Sequence, residues 1–225
     1  MRKVGALPRS RRLVLAAVLG IACIARAGEQ RYEPLAASVQ AAMHGAVEDR
    51  ASPVLVFGTA QQGRAWLAAM SRRLARYVSD EKTRIDLLVT VQYEARRAGL
   101  DPQLVLGLIE VESRFRKYAV SRAGARGYMQ VMPFWVDLLG DAQHDLFKLR
   151  TNLRYGCVIL RYYLDIEAGD IYRALARYNG SLGSKNGYPT KVVRTWRTRW
   201  ALSAAGTLHG ATRRMAPLHY GGSTR

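Results

Sequence analysis

The sequence is poor in cysteine, in acidic residues and in long apolar runs. Its two cysteines, Cys23 and Cys157, exclude a framework of several disulfides. The longest apolar stretch, Leu13 to Ile24, is about a dozen residues, whereas a membrane-spanning helix needs about 20. The four histidines form no His-Glu-x-x-His pair and no recognisable nucleophile arrangement. We therefore predict neither a metal site nor a cofactor.

The N-terminus has the pattern of an export signal. A basic start precedes the apolar stretch, and Ala25-Arg26-Ala27 follows it as a small-x-small cleavage site. We predict that residues 1–27 are a signal peptide cleaved near Ala27 and that the mature protein is periplasmic. A retained membrane anchor, a twin-arginine signal around Ser10-Arg11-Arg12 and a lipoprotein signal at Cys23 remain alternatives. Cleavage leaves Cys157, which we expect to be a buried helical residue.

Positive charge dominates the chain, including the part that remains after the predicted cleavage. The chain has 35 basic and 17 acidic residues, and removal of residues 1–27 lowers its net charge from +18 to +12, because six basic and no acidic residues are lost. The 29 arginines are spread along the chain, which indicates a diffusely positive surface attracted to polyanions. Export favours peptidoglycan carboxylates or an anionic membrane surface. No nucleic-acid motif occurs, and we predict no nucleic-acid partner.

Apolar periodicity predicts a mainly α fold. Trp66, Leu67, Met70, Leu74 and Tyr77 recur at helical spacing between residues 65 and 78. This segment is either a helix packed on the following domain or a basic helix at a membrane surface. A second helix is expected to start at Ser79-Asp80-Glu81 and to end at Gly99. Its predicted core stripe consists of Ile85, Leu88, Val89 and Tyr93.

The next helix places a carboxyl group on its apolar face. Asp101-Pro102 is a typical helix start, with a capping aspartate before proline at the first helical position. Glu112 shares one face with Val105, Leu108 and Ile109, because their spacing is three, one and three residues. Burial disfavours the charged form, so such a carboxyl keeps its proton near neutral pH. Glu110 lies about 200° around the same helix and should face solvent or another neighbour.

The remainder alternates loops and helices. Residues 116–132 contain Gly124 and Gly127 and predict a loop with a small β element. Short helices are expected from about Pro133, from Asn152 to about Leu164, and from Ile171 to Tyr178 after Asp170. A last helix from Pro189 has an apolar seam of Val192, Val193, Trp196 and Trp200.

Four short segments resemble one family. They are Ile109 to Phe115 (IEVESRF), Ser121 to Pro133 (SRAGARGYMQVMP), Asn152 to Gly156 (NLRYG) and Ala176 to Ser181 (ARYNGS). In this order they resemble the transglycosylase domain of soluble lytic murein transglycosylases, relatives of goose-type lysozyme. The resemblance covers about residues 87–200 and implies a lysozyme-like fold. We expect a signal peptide (1–27), an N-terminal helical extension (28–78), a catalytic domain (79–203) and a flexible tail (204–225).

The resemblance implies a role for each matching residue. Glu112 would be the catalytic acid and base, and Ser113 would orient its carboxyl or the substrate. Met129 and Gln130 would bind the glycan, Tyr178 would contact the glutamate or the reacting sugar, and Asn179 would shape the cleft. Two positions depart from the family pattern: Tyr128 replaces a usual leucine, and Gly180-Ser181 replaces alanine-glycine. Gln130 and Tyr178 could alternatively only tie loops to the core.

Glycosidic cleavage usually requires a second carboxylate. Nothing close in sequence to Glu112 is placed to supply one, and no pattern selects Asp137, Asp141 or Asp145. The resemblance implies that the muramyl 6-hydroxyl attacks its own anomeric carbon and leaves a 1,6-anhydro end, with peptidoglycan strands as substrate. A hydrolytic muramidase of the same fold and a non-catalytic peptidoglycan-binding or assembly module are the alternatives. Peripheral membrane or envelope-complex association is left open.

Overall fold

The computed structural model describes residues 30–48, 51–140 and 143–202. The predicted signal peptide, the whole of the predicted tail and Asp141 lie outside these residues. Within them, the helices are α1 Ala37–Val47, α2 Ala60–Leu74, α3 Glu81–Arg97, α4 Pro102–Glu112, α5 Phe134–Leu139, α6 Leu149–Ile166, α7 Ile171–Tyr178 and α8 Tyr188–Thr195, followed by a π-helix, Trp196–Trp200. The mainly helical class predicted from the sequence is confirmed.

Local capping signals fix several helix starts. The Asp101 carboxylate accepts a hydrogen bond from the Gln103 backbone N at 2.7 Å, and Asp170 caps α7 in the same way. The α3 start differs slightly from the prediction, because Asp80 and not Ser79 is the cap. The α6 start was wrong: the helix begins at Leu149, and Asn152 lies inside it.

Helix α6 is the central element and packs on α3 and α7, while α4 packs on α8 and the π-helix. Most of α6 is buried, from Asn152 to Leu160. The contact between α4 and the π-helix depends on Gly107, since an added Cβ would lie 2.9 Å from the Trp196 backbone. This close approach helps to set the direction of α4, whose last residue is Glu112.

A buried ion cluster attaches the N-terminal segment to the domain. The Glu94 carboxylate is 1% exposed and binds Arg150 and Arg154, each at 3.1 Å. Arg154 also donates to the Val47 carbonyl at 3.0 Å, which ties the end of α1 to α3 and α6. Because burying a charge is costly without partners, this cluster explains why α3 buries polar residues beside its apolar stripe. Of the predicted stripe, Leu88 is fully buried and the other three residues are half-buried.

Two observations concern the membrane contacts considered from the sequence. Helix α2 packs against α3 and the π-helix, as in the first of its two predicted interpretations. Among the helices of the described ranges, none combines the length and apolar character required to cross a membrane.

Candidate active site

Helix α4 brings Glu112 to the boundary between core and surface. Val105, Leu108 and Ile109 on the same face are fully buried, and Glu112, the last residue of the helix, is half-buried. Glu110 points elsewhere: it is buried, pairs with Arg199 and accepts a hydrogen bond from the Trp200 indole at 2.8 Å. The sequence predicted that Glu110 faces either solvent or another neighbour, and the structure confirms the second. The two glutamates of α4 therefore have separate environments.

The environment of Glu112 favours its protonated form. Burial raises the pKa of its carboxyl to about 7, although the hydrogen bond from Tyr188 and the positive charge of Lys191 oppose the rise. Such a pKa allows one group to donate a proton and to accept one near neutral pH. The raised pKa that the sequence predicted for Glu112 thus arises from its position at the end of a buried helical face.

Tyr188 is a site residue that the sequence did not reveal. Its hydroxyl donates to Oε1 of Glu112 from 76 residues away in the chain. Burial and the adjacent Glu112 carboxylate raise the pKa of the Tyr188 phenol well above its usual value, so the phenol remains a donor. The only local signal was a tyrosine next to Pro189 at the start of the last helix.

Asn152 holds the loop that faces Glu112. Its side chain is fully buried and accepts from the Met129 backbone N at 2.8 Å, and it donates to the carbonyls of Arg126 and Leu146 at 2.8 and 2.9 Å. Gly127 makes this approach sterically accessible. An added Cβ at Gly127 would lie 2.4 Å from the Asn152 amide nitrogen, and its φ of +75° also favours glycine.

Ser113 fastens the same loop to α4. Its hydroxyl donates to the Tyr128 carbonyl at 2.7 Å and lies 3.2 Å from the Ile109 carbonyl. Neither of these two hydrogen bonds involves the Glu112 carboxyl. Ser113 therefore connects the end of α4 to the loop, and its role in orienting the carboxyl or the substrate stays a prediction.

Gln130 stabilises the turn in which it lies. Its amide nitrogen donates to the Ala119 and Gly127 carbonyls at 3.1 and 2.9 Å, and its φ of +50° is unusual for a residue with a side chain. Isolated bridges pair Arg126 with Val120 and with Val131. The described residues contain no strand, so these isolated bridges are all that the structure shows there of the predicted small β element.

Tyr178 connects α7 to this loop. Its hydroxyl donates to the Met129 carbonyl at 2.8 Å, and its ring is buried. Burial raises the pKa of the Tyr178 phenol well above its usual value, and the nearby Glu112 carboxylate raises it further. Asn179 follows and accepts from the Asn186 amide at 3.2 Å, which anchors the loop leading to Tyr188.

The predicted residues thus lie together. Ser113 and Tyr178 donate to the backbone of the loop that contains Met129 and Gln130. Glu112 accepts from Tyr188 of α8 and lies close enough to Tyr178 to raise its pKa. Among the described acids, Asp137 is exposed, and Asp145 accepts a hydrogen bond from the Phe147 backbone N. Among the described residues, no carboxyl group contributes to the pKa shift of Glu112. The described residues contain no group of three or more potential metal ligands.

Comparison with known proteins identifies this arrangement. Residues 90–193 match the family model described as "Transglycosylase SLT domain", from α3 to α8. The chain contains an SLT domain. The family resemblance inferred from the four sequence segments is therefore confirmed, and the matched range includes Glu112, the Gly127–Gln130 loop, Tyr178 and Tyr188.

Several curated relatives share this SLT region. A transglycosylase of Enterobacteria phage PRD1 is 32% identical over 111 residues, covering 47% of this chain and 41% of the phage protein. The membrane-bound lytic murein transglycosylase C of Mannheimia succiniciproducens is 34% identical over 122 residues, covering 52% of this chain and 30% of that protein. The protein of the same name from Glaesserella parasuis is 52% identical over 95 residues, covering 40% of this chain and 24% of that protein.

The chain spans less than half the length of these relatives. Among solved structures, an inactive mutant of the lytic transglycosylase Slt from Pseudomonas aeruginosa is 19% identical, with a TM-score of 0.39. The match covers 76% of this chain and 36% of the Slt chain.

Proposed function

We propose that the protein is a peptidoglycan lytic transglycosylase. It cleaves the β-1,4 bond between N-acetylmuramic acid and N-acetylglucosamine without water and leaves a 1,6-anhydro-muramyl end. The observation that carries the proposal is Glu112, which ends a buried helical face, has a pKa near 7 and lies within a matching SLT domain.

One carboxyl group performs both proton transfers in this reaction. Protonated Glu112 donates its proton to the bridging oxygen as the bond to the muramyl anomeric carbon breaks. The muramyl 6-hydroxyl then bonds to that carbon, and the Glu112 carboxylate accepts the hydroxyl proton. Atoms balance without water, and the glutamate returns to its starting state. The match to the SLT domain supports this scheme over a two-carboxylate mechanism.

The surrounding residues have positioning roles in the proposal. Tyr188 orients the carboxyl through its hydrogen bond, and the loop held by Ser113 and Asn152 presents Met129 and Gln130 to the glycan. Tyr178 fixes the Met129 carbonyl and provides a wall near the reacting sugar. Asn179 shapes the end of the cleft by holding the following loop.

Product analysis of digested sacculi tests the proposal. Purified protein should release muropeptides whose muramyl ends lack one water, as detected by mass spectrometry. Glu112→Gln should abolish release, because the amide is nearly isosteric but delivers no proton. Glu81→Gln, at an exposed position on α3, is the matched control and should retain full activity.

The other outcomes identify the rival functions. Reducing ends throughout the digest would assign a hydrolytic muramidase of the same fold. Binding of sacculi without release of products would assign a non-catalytic module. Release by Glu112→Gln equal to that of the unmodified protein would refute the assigned acid.

We also propose that the protein acts in the periplasm after export. The N-terminal signal pattern supports this location, and two of the relatives described above are named membrane-bound lytic murein transglycosylases. Fractionation of cells that express the tagged full chain should recover it in the periplasmic or membrane fraction. Recovery in the cytosol would contradict the proposal.

A further inference from the structure

Gln30, at the start of the described chain, is buried in the candidate site. We define residues 30–36, which precede α1, as the N-terminal strap. The Gln30 side chain is 5% exposed. Its amide nitrogen donates to the Gln130 carbonyl at 3.2 Å, and its amide oxygen accepts from the Met132 backbone N at 3.0 Å.

These contacts place the strap close to the catalytic acid. The Gln30 side chain lies close enough to the Tyr178 phenol to lower its pKa, and the Glu112 carboxylate raises the pKa of the same phenol. Gln30 therefore lies one side chain away from the acid. It donates a hydrogen bond to the Gln130 carbonyl, in the loop to which the proposed function assigns glycan binding.

The pattern of bonds resembles that of a substrate group. An acetamido substituent offers one N–H donor and one carbonyl acceptor, and the Gln30 amide offers both to the same loop. Both sugars of peptidoglycan carry this substituent. The inference rests on the proposed function: we propose that Gln30 occupies the position of a substrate acetamido group, so that the strap competes with the glycan and must be displaced before cleavage.

Apart from Gln30 and Leu35, which packs partly buried against the core, the residues of the strap are exposed. Tyr32 is 62% exposed and lies edge-on to Phe134, with ring centroids 5.7 Å apart. Glu33 pairs with Arg177 at 3.5 Å on the exposed surface, where ion pairs contribute little. A cavity of about 120 Å³ lies beside Glu33 and Arg177. Helix α1 has its own anchor through Arg154, so the strap can leave while α1 stays docked.

Competition of this kind lowers the apparent glycan affinity by the fraction of molecules in which the strap is bound. A net neutral hydrogen bond corresponds to about a factor of five in an equilibrium. The ordering of the strap backbone offsets part of this. We expect that loss of the Gln30 bonds tightens glycan binding about threefold or more.

Calorimetric titration with chitohexaose, an N-acetylglucosamine oligomer, tests the inference on the full chain. All variants carry Glu112→Gln, which prevents turnover. Gln30→Ala removes both bonds, and Gln30→Glu keeps the acceptor but places a carboxylate oxygen against the Gln130 carbonyl. Both should bind chitohexaose about threefold or more tightly. The control is Gln40→Ala on α1, which loses a 2.8 Å bond to the Leu138 carbonyl and should bind like its parent.

Each alternative outcome has a distinct meaning. Equal or weaker binding by both Gln30 variants, with the control unchanged, overturns competition by the strap and leaves the proposed function intact. Failure of every protein to bind chitohexaose contradicts the proposed function and the strap inference with it. If Gln30→Ala unfolds, as judged by circular dichroism, Gln30→Glu alone decides.

Discussion

The hydroxyl of Tyr188 donates a hydrogen bond to Glu112 and joins the first residue of α8 to the last residue of α4. This bond opposes the larger effect of burial, which raises the pKa of the carboxyl to about 7. The tyrosine thus fixes the direction of the carboxyl and limits how strongly it retains its proton. Both functions follow from one contact.

Tyr188→Phe should therefore change the pH dependence of lysis as well as its rate. Without the hydrogen bond the pKa of Glu112 rises further, so the protonated acid persists to higher pH and the alkaline limb of the profile moves upward. The maximal rate should fall roughly tenfold, because the carboxyl loses its fixed orientation. Turbidity of a sacculus suspension, followed across pH, measures both effects.

Tyr172→Phe provides the matched control for Tyr188→Phe. Tyr172 is 44% exposed at the start of α7. Removing its hydroxyl should leave the rate and the profile unchanged. An unshifted alkaline limb in Tyr188→Phe would contradict the role given to the hydrogen bond.

Glu112→Gln should stabilise the protein at alkaline pH. The pKa of Glu112 rises from 4.5 to about 7 on folding. The stability that this group contributes is therefore fully present below about pH 4.5 and is lost as pH rises through about 7. Glutamine does not ionise and avoids this loss, which is on the order of 1–3 kcal/mol for a half-buried group. Urea unfolding at pH 4 and pH 8 compares the two proteins.

The stabilisation by Glu112→Gln should be larger at pH 8 than at pH 4. A difference between the two proteins that does not vary with pH would show that Glu112 titrates alike in the folded and unfolded chain. Such a result would remove the physical basis for its role as an acid.

Gly127→Ala should destabilise the fold far more than Gly124→Ala. Both glycines have positive φ, +75° and +91°, so both alanines carry backbone strain of about 1–2 kcal/mol. At Gly127 the new Cβ would also lie 2.7 Å from the Leu146 carbonyl and still closer to Asn152, whereas nothing lies within 4 Å at Gly124. We expect an additional loss of roughly 1–3 kcal/mol at Gly127. Urea unfolding measures the difference, and equal losses would contradict the packing described.

Asn152→Ala should weaken both the fold and lysis. It leaves one buried N–H and two carbonyls without their partner. This should cost roughly 2–4 kcal/mol in the free energy of unfolding. Lysis should fall even at temperatures where the variant is folded, because Met129 and Gln130 lose their fixed position. Gln61→Ala, at an exposed amide side chain on α2, is the control and should cost less than about 1 kcal/mol. Full lysis by folded Asn152→Ala would contradict the positioning role.

Local features of the sequence were reliable guides. The Asp101-Pro102 and Asp170 caps define their helices because a side chain satisfies backbone donors only two or three residues away. The stripe that ends at Glu112 was also foreseeable, since helical geometry alone places its members on one face. The stripe of α3 was less reliable, because Glu94 and its arginine partners bury a polar face that apolar periodicity does not indicate.

The sequence by itself determined most of the helices from α2 onward, the apolar stripe that ends at Glu112 and the ordered segments of the SLT domain. Tertiary structure alone decided that Tyr188 reaches Glu112, that Asn152 holds the Met129 loop instead of capping a helix, and that Gln30 enters the site 100 residues before its partner. The physical reason is the range of the interactions. Caps and stripes act over one or two helical turns, whereas these polar contacts form only after the packing of distant helices has brought their donors and acceptors together.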